Sequence, residues 1–157
     1  MFDALGINFD GPTFEAYFRE CLHSNAIPME GALEILEYLS NKYILGVASN
    51  GPYKQQVNRL TVAKMIRYFD YLFISEELGA SKPSKEFIDK VFGRLNVHDT
   101  YLPEEILIVG DSITSDIMTG INAGMKTVYY NPNKNLHNDD VKTDYEITSL
   151  LELKSIL

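Results

Sequence analysis

The chain is poor in cysteine, in cationic side chains and in long apolar runs. Cys21 is the only cysteine among 157 residues, so an intrachain disulfide and a Cys/His zinc cluster are both excluded. The 14 Lys and Arg residues stand against 22 Asp and Glu, and the net charge of −8 repels phosphodiester backbones and anionic lipid headgroups. We therefore expect neither a nucleic-acid polymer nor a membrane surface as a partner.

The sequence also argues against membrane insertion and export. Apolar runs such as residues 106–109 are far shorter than the roughly 18 residues that a membrane span needs. Asp3 and Asp10 interrupt the region in which a signal peptide would carry its apolar stretch. Together with the single thiol, this indicates a cytoplasmic protein.

The overall composition is that of one globular domain that begins with helices. Apolar residues make up 45% and charged residues 23% of the chain, close to the averages for folded proteins. A helical stripe behind a predicted N-cap at Thr13 contains Phe14, Tyr17, Phe18, Cys21 and Leu22. A second helical stripe covers residues 32–39 and ends near Asn41.

Short apolar strands alternate with helices along the rest of the chain. The predicted strands are 43–49, 71–74, 106–109, 126–130 and 145–147, and the predicted helices are 52–60, 84–95, 113–123 and 150–157. This alternation predicts an α/β fold, a doubly wound, Rossmann-like parallel sheet with helices on both faces. Ligands of such sheets bind at the carboxyl ends of the strands, so the residues that follow each strand are the candidate site.

Two strand ends carry groups that suit an anion. Ser49, Asn50 and Gly51 offer a hydroxyl, an amide and backbone N–H groups at a helix start, although on these residues alone an N-cap serine with a turn is the favoured explanation. Lys82 lies in a small-residue loop before Pro83, which is predicted to begin the next helix. A loop lysine alone is usually a solvated charge, but Ser49 and Lys82 together could hold one anion.

The third strand is followed by two carboxylates, Asp111 and Asp116, on a turn into a helix. They could converge on Mg²⁺, which takes few protein oxygens and keeps its other positions for water and phosphate. The alternative is structural, with Asp111 or Ser112 as an N-cap and Asp116 as a favourable charge in the first turn.

The order of these groups resembles that of a known family. A strand ending in Ser-Asn, a Lys-Pro before a helix and a strand ending in GDSxxxD resemble motifs two, three and four of the haloacid dehalogenase-like hydrolases. The likeness includes residues 121–125 and covers about residues 27–157. Residues 68–70 and 74–77 are most similar to the phosphatase branch that includes pyrimidine 5′-nucleotidases.

This resemblance implies a Mg²⁺-dependent phosphatase that acts on small phosphate monoesters, nucleotides among them. It implies that Ser49 and Asn50 hold the phosphoryl oxygens and that Lys82 neutralises charge on the transferring group. It also implies that Asp111 and Asp116 bind the Mg²⁺ ion. Of these residues Lys82, Ser49 and Asp111 would be catalytic.

The family's first motif, Asp-x-Asp at the end of the first strand, supplies the nucleophile, and this sequence contains no Asp-x-Asp. Residues 1–26 resemble a remnant of the family's helical cap, and residues 27–157 resemble its core domain without the first strand. We therefore expect an N-terminally truncated, impaired enzyme. One alternative makes Asp10 the nucleophile, because INFDGPT loosely resembles a degenerate first motif. The other is a non-catalytic protein that binds phosphate and metal or serves in interactions.

The resemblance places the missing strand between the strands ending at Ser49 and Val109. Its loss would leave unpaired backbone groups on both, and each buried orphan costs about 1–3 kcal/mol. We expect the gap to be closed by direct pairing of these two strands, by a neighbouring chain in a homo-oligomer, or by the N-terminal segment.

Overall fold

The computed structural model describes residues 10–24, 26–97, 100–134 and 141–157, with the backbone alone for residues 19–24. The helices are α1 (Gly11–Ser24), α2 (Ala32–Ser40), α3 (Tyr53–Val62), α4 (Ser75–Leu78), α5 (Lys85–Leu95), α6 (Met118–Ala123) and α7 (Leu153–Ile156). The strands are β1 (Gly46–Ser49), β2 (Tyr71–Ile74), β3 (Leu107–Gly110), β4 (Lys126–Tyr130) and β5 (Tyr145–Ile147). A π-helical turn, Ile113–Ile117, leads into α6, and 3₁₀ turns occupy Ile66–Tyr68, Pro103–Glu105 and Leu150–Glu152.

The strands are parallel and form two sheets in the described ranges, one of β1 and β2 and one of β3, β4 and β5. Parallel sheets flanked by helices confirm the predicted α/β class. The expected direct pairing of the strand ending at Ser49 with the strand that includes Val109 is wrong, because β1 and β3 share no ladder. Residues 1–9 lie outside the described residues, and closure by a second chain stays a prediction.

The edge of β1 that pairs with no described strand is identified from its ladder. The Leu45 carbonyl accepts a hydrogen bond from the Tyr71 N–H at 3.2 Å, so this residue faces β2. Alternate residues of a parallel strand bond to the same neighbour, so Gly46 and Ala48 direct their backbone groups away from β2.

The same alternation identifies the edge of β3 that pairs with no described strand. The Ile106 carbonyl accepts from the Lys126 N–H at 2.9 Å, so the alternation turns the backbone groups of Leu107 and Val109 away from β4. Val109 is 37% exposed. We call the two edges of β1 and β3 that pair with no described strand the slot. The slot-facing residues are Gly46, Ala48, Leu107 and Val109.

Two apolar clusters cover opposite faces of the sheets. The first joins α2 and α7 to β4 and β5 through Ile35, Leu39, Val128, Ile147 and Leu153. The second joins α4 and α5 to β2 through Phe73, Leu78, Phe87 and Val91. Leu45 packs on the first cluster and Ala48 on the second. These residues are three positions apart in an extended segment, so their side chains point to opposite faces. Leu107 of β3 also packs on the first cluster.

The N-terminal helix differs from its prediction. Helix α1 begins at Gly11, so Thr13 is not its N-cap; the Thr13 hydroxyl donates to the Asp10 carboxylate instead. The aromatic part of the stripe, Phe14, Tyr17 and Phe18, is exposed. The side chains of Cys21 and Leu22 lie outside the described residues, and the division at residues 26 and 27 stays a prediction.

Helix α5 also begins later than expected. Ser84 is the N-cap, and its hydroxyl oxygen accepts from the Phe87 N–H at 3.2 Å. Pro83 therefore precedes the cap, and the prediction that it begins the helix is wrong. This arrangement leaves Lys82 in the loop between α4 and α5, before the capping turn.

Candidate functional site

Lys82 connects the two sheets at the carboxyl ends of their strands. Its ammonium donates to the carbonyl of Ala48 on β1 at 2.6 Å and to Oδ1 of Asp116, beyond β3, also at 2.6 Å. Its side chain is 8% exposed and that of Asp116 12%. A buried ammonium is stable only when it is paired and hydrogen-bonded, so these two acceptors explain its position.

Asn50 holds the backbone of Lys82 at two points. The Lys82 N–H donates to Asn50 Oδ1 at 2.9 Å, and Asn50 Nδ2 donates to the Lys82 carbonyl at 3.1 Å. The resemblance implied that this amide contacts phosphoryl oxygens. Both of its polar atoms bond to the loop, the Nδ2 atom keeps a second hydrogen, and the phosphate role stays a prediction. Asn50 therefore positions the ammonium by fixing the residue that carries it.

Ser49 is the last residue of β1 and is half-buried. Within the described chain its hydroxyl has no hydrogen-bond partner, and the N-cap of α3 is Pro52, so the capping alternative for Ser49 is wrong. The predicted backbone donors beside it are already bonded. The Gly51 N–H donates to Ser75 Oγ at 2.9 Å, and the Tyr53 N–H donates to Glu76 Oε2 at 2.7 Å.

Asp116 is seated by the turn that follows β3. Its Oδ2 accepts from the Ser112 N–H at 3.1 Å, while the Ser112 hydroxyl caps the turn by accepting from the Ser115 N–H at 3.2 Å. A Cβ added to Gly110 would lie 2.3 Å from the Asp116 carboxylate. Glycine is therefore required at position 110 because the carboxylate occupies the space of a side chain. Sequence reasoning missed this role, although a glycine between a strand and an acidic turn is a signal of close approach.

Asp111 lies between Gly110 and Ser112 on the same turn, and it is exposed. Two carboxylates on one turn offer the hard oxygen donors that Mg²⁺ prefers, and Mg²⁺ commonly binds through one or two carboxylates plus substrate phosphate. The residues therefore fit this ion chemically. No cluster of three or more His, Cys, Asp or Glu side chains that could hold a metal occurs in the part of the chain that the structure describes.

Asp10, the alternative nucleophile, is exposed just before α1, where its carboxylate accepts from the Thr13 hydroxyl. Among the described residues no hydrogen bond or ion pair joins Asp10 to Lys82 or Asp116. The structure thus brings together Lys82, Asp116 and the end of β1, and it leaves the role of Asp10 a prediction.

These features define an α/β protein with a polar site at the carboxyl ends of parallel strands. Residues 2–130 match the family model of the haloacid dehalogenase-like hydrolases, and the chain belongs to this family. None of the helices in the described ranges is both long and apolar enough to cross a bilayer.

Relatives with named activities match nearly the whole chain. It is 31% identical over 158 residues to the pyrimidine 5′-nucleotidase PynA of Streptococcus pneumoniae, covering 100% of this chain and 65% of that protein. It is 33% identical over 151 residues to the pyrimidine 5′-nucleotidase YjjG of Escherichia coli, covering 96% of this chain and 66% of that protein. The chain thus spans about two thirds of the length of these curated relatives.

A solved structure agrees closely with this fold. The magnesium-bound HAD-hydrolase YfnB of Bacillus subtilis matches with a TM-score of 0.90 and 32% identity, over 99% of this chain and 67% of that chain. A HAD phosphatase from Thermococcus onnurineus matches with a TM-score of 0.76 and 27% identity over the same shares.

Proposed function

We propose that this chain carries the phosphate and Mg²⁺ sites of a phosphatase that acts on small phosphate monoesters, nucleotides among them. The observation that carries the proposal is the Lys82 ammonium, which is buried at the strand ends between Ala48 and Asp116. The nucleotidases among the relatives support phosphate monoesters as the substrate class.

The phosphate side of the site consists of Ser49, Asn50 and Lys82. The Ser49 hydroxyl donates to a phosphoryl oxygen, and Asn50 contributes by holding the Lys82 backbone in place. The Lys82 ammonium has three hydrogens, two of which are engaged, so the third can donate to the anion. This ammonium neutralises charge that develops on the transferring group, and such electrostatic positioning carries most phosphoryl-transfer catalysis.

Asp111 and Asp116 form the metal side and would hold Mg²⁺. When bound, this ion supplies charge neutralisation and orientation for the phosphate oxygens. The Ser112 N–H and the lack of a side chain at Gly110 allow the Asp116 carboxylate to lie against the turn that follows β3.

The covalent route of this family needs a carboxylate nucleophile, which the sequence does not provide as Asp-x-Asp. We therefore expect this chain alone to turn over little substrate, with Asp10 as the alternative nucleophile. A second candidate function, phosphate and metal binding without catalysis, is favoured by the same absence.

The test is hydrolysis of p-nitrophenyl phosphate with and without MgCl₂, beside calorimetry of phosphate and Mg²⁺ binding. Mg²⁺-dependent turnover that Asp10→Ala abolishes supports catalysis by this chain with Asp10 as the nucleophile. Binding of both ligands without turnover supports the phosphate and Mg²⁺ sites and agrees with the non-catalytic function. If neither phosphate nor Mg²⁺ binds, the proposed site is rejected.

A further inference from the structure

We infer that phosphate and a divalent cation bind this site cooperatively, because the Lys82 ammonium is bonded to the Asp116 carboxylate that the cation would use. This inference rests on the proposed function and deepens it by assigning how the two halves of the site are coupled. It depends on the single Lys82 ammonium, which a β1 carbonyl and a carboxylate beyond β3 share.

The ammonium has little freedom to leave its position. Its side chain is 8% exposed, and the Asn50 amide fixes the backbone on both sides of the residue. Moving the amine away from Asp116 without a replacement anion would leave a buried cation unpaired, which is strongly unfavourable. Lys82 therefore stays beside Asp116 unless another negative group takes its charge.

A divalent cation that binds alone meets this ammonium. It must share the Asp116 carboxylate with an amine 2.6 Å from Oδ1, while Oδ2 is already bonded to the Ser112 N–H. Like charges around one carboxylate in a partly buried site repel each other, so the cation alone binds weakly.

Phosphate that binds alone meets the opposite difficulty. It approaches Ser49 and the free hydrogen of Lys82, but the carboxylates of Asp111 and Asp116 and the net charge of −8 repel it. When both ligands are present, the anion compensates Lys82 and the cation compensates the carboxylates. Each ligand thus removes the repulsion that opposes the other, and linkage requires the effect to be equal in both directions.

The experiment is isothermal titration of the full chain with MgCl₂, with and without saturating inorganic phosphate, at constant ionic strength and corrected for magnesium phosphate formed in solution. For the wild type we expect phosphate to tighten Mg²⁺ binding about tenfold or more, within the usual range of coupling between sites. The reverse titration of phosphate in saturating MgCl₂ should give the same factor.

Variants test whether Lys82 carries the coupling. In Lys82→Met, Mg²⁺ alone should bind more tightly than to the wild type, and the effect of phosphate should fall below about twofold. In Asp116→Asn, phosphate alone should bind more tightly and the Mg²⁺ response should weaken. Lys85→Met is the matched control, because the Lys85–Asp89 pair is exposed and should leave the coupling unchanged.

The outcomes separate the two proposals. Phosphate and Mg²⁺ that both bind the wild type with a coupling factor near one would overturn this inference and leave the proposed function intact. Coupling that persists in full in a folded Lys82→Met would also overturn it. If neither ligand binds the wild type, the proposed function itself fails. Reciprocity in the wild type needs no variant, so the inference stays testable even if Lys82→Met does not fold.

Discussion

The ion pair between Lys82 and Asp116 should contribute strongly to stability, because it is buried and joins two sheets that share no ladder. The measurable effect is that of removing one partner, which costs about 3–5 kcal/mol because the other charge is left uncompensated. Lys82→Met also removes the donor to the Ala48 carbonyl, so we expect its cost in this range. Asp116→Asn should cost less, about 2–3 kcal/mol, because an amide oxygen can still accept from the Ser112 N–H.

The double variant makes the prediction sharp. Once the carboxylate is neutral, loss of the ammonium leaves no buried charge, so the double variant should cost no more than Lys82→Met alone. The resulting interaction energy is about 2 kcal/mol, within the range for residues in direct contact. Urea unfolding followed by circular dichroism resolves such a difference in a domain whose total stability is about 5–15 kcal/mol.

The control is the exposed pair of Lys85 and Asp89, whose side chains are 86% and 59% exposed. Lys85→Met should change the free energy of unfolding by less than about 0.5 kcal/mol. An interaction energy below about 0.5 kcal/mol for Lys82 and Asp116 would refute the argument that this pair fastens the sheets.

Three further predictions follow from the described structure. In hydrogen exchange, the amides of the slot-facing residues should exchange faster than those of their immediate strand neighbours, which bond to β2 or β4; equal protection would mean that another segment fills the slot. Hydrogen bonds from the Thr127 hydroxyl and N–H lower the pKa of Asp144, so its contribution to stability is complete above the unfolded pKa of about 3.9 and is lost as pH falls through the lower folded value. Asp144→Asn should therefore destabilise the protein at pH 7 and lose this effect on acidification, as urea midpoints against pH would measure; a deficit that persists at low pH contradicts the assignment. Gly120→Ala should destabilise the protein by about 1–3 kcal/mol in urea unfolding, because its methyl group would lie 2.5 Å from side-chain carbons of β3 and β4. Its control, Gly93→Ala, lies in exposed helix with no neighbouring element within 4 Å and should stabilise by about 0.5–1 kcal/mol. Equal effects of the two variants would contradict the close packing of α6.

The regular elements were largely predictable because their signals are local. The predicted strands 71–74, 126–130 and 145–147 coincide with β2, β4 and β5, and α2 ends next to Asn41 as expected. The first strand was predicted three residues too long, since Tyr43 and Ile44 are apolar yet exposed. A run of apolar residues indicates that a segment is buried, but it does not show which of its residues the neighbouring elements cover.

The candidate site was predictable as a set of residue types but not as a set of bonds. The order of Ser49, Lys82, Asp111 and Asp116 along the chain indicated the family, to which the chain belongs. The use of the Asn50 amide on the Lys82 backbone could not be read from either residue, because the two are 32 positions apart. The exposure of the α1 aromatic residues and the separate β1 and β3 edges were equally inaccessible to local reasoning.

Sequence alone thus determined the α/β class, the parallel strands and the polar residues that follow them, because alternation of apolar and polar positions is set by neighbours along the chain. Tertiary structure decided which polar atoms meet. Lys82 finds two acceptors that are each 34 positions away, and Gly110 leaves room for a carboxylate that only the folded turn brings to it. The physical reason is that a buried charge or hydrogen-bonding group takes the partner that lies nearest in space, and that distance exists only in the folded chain.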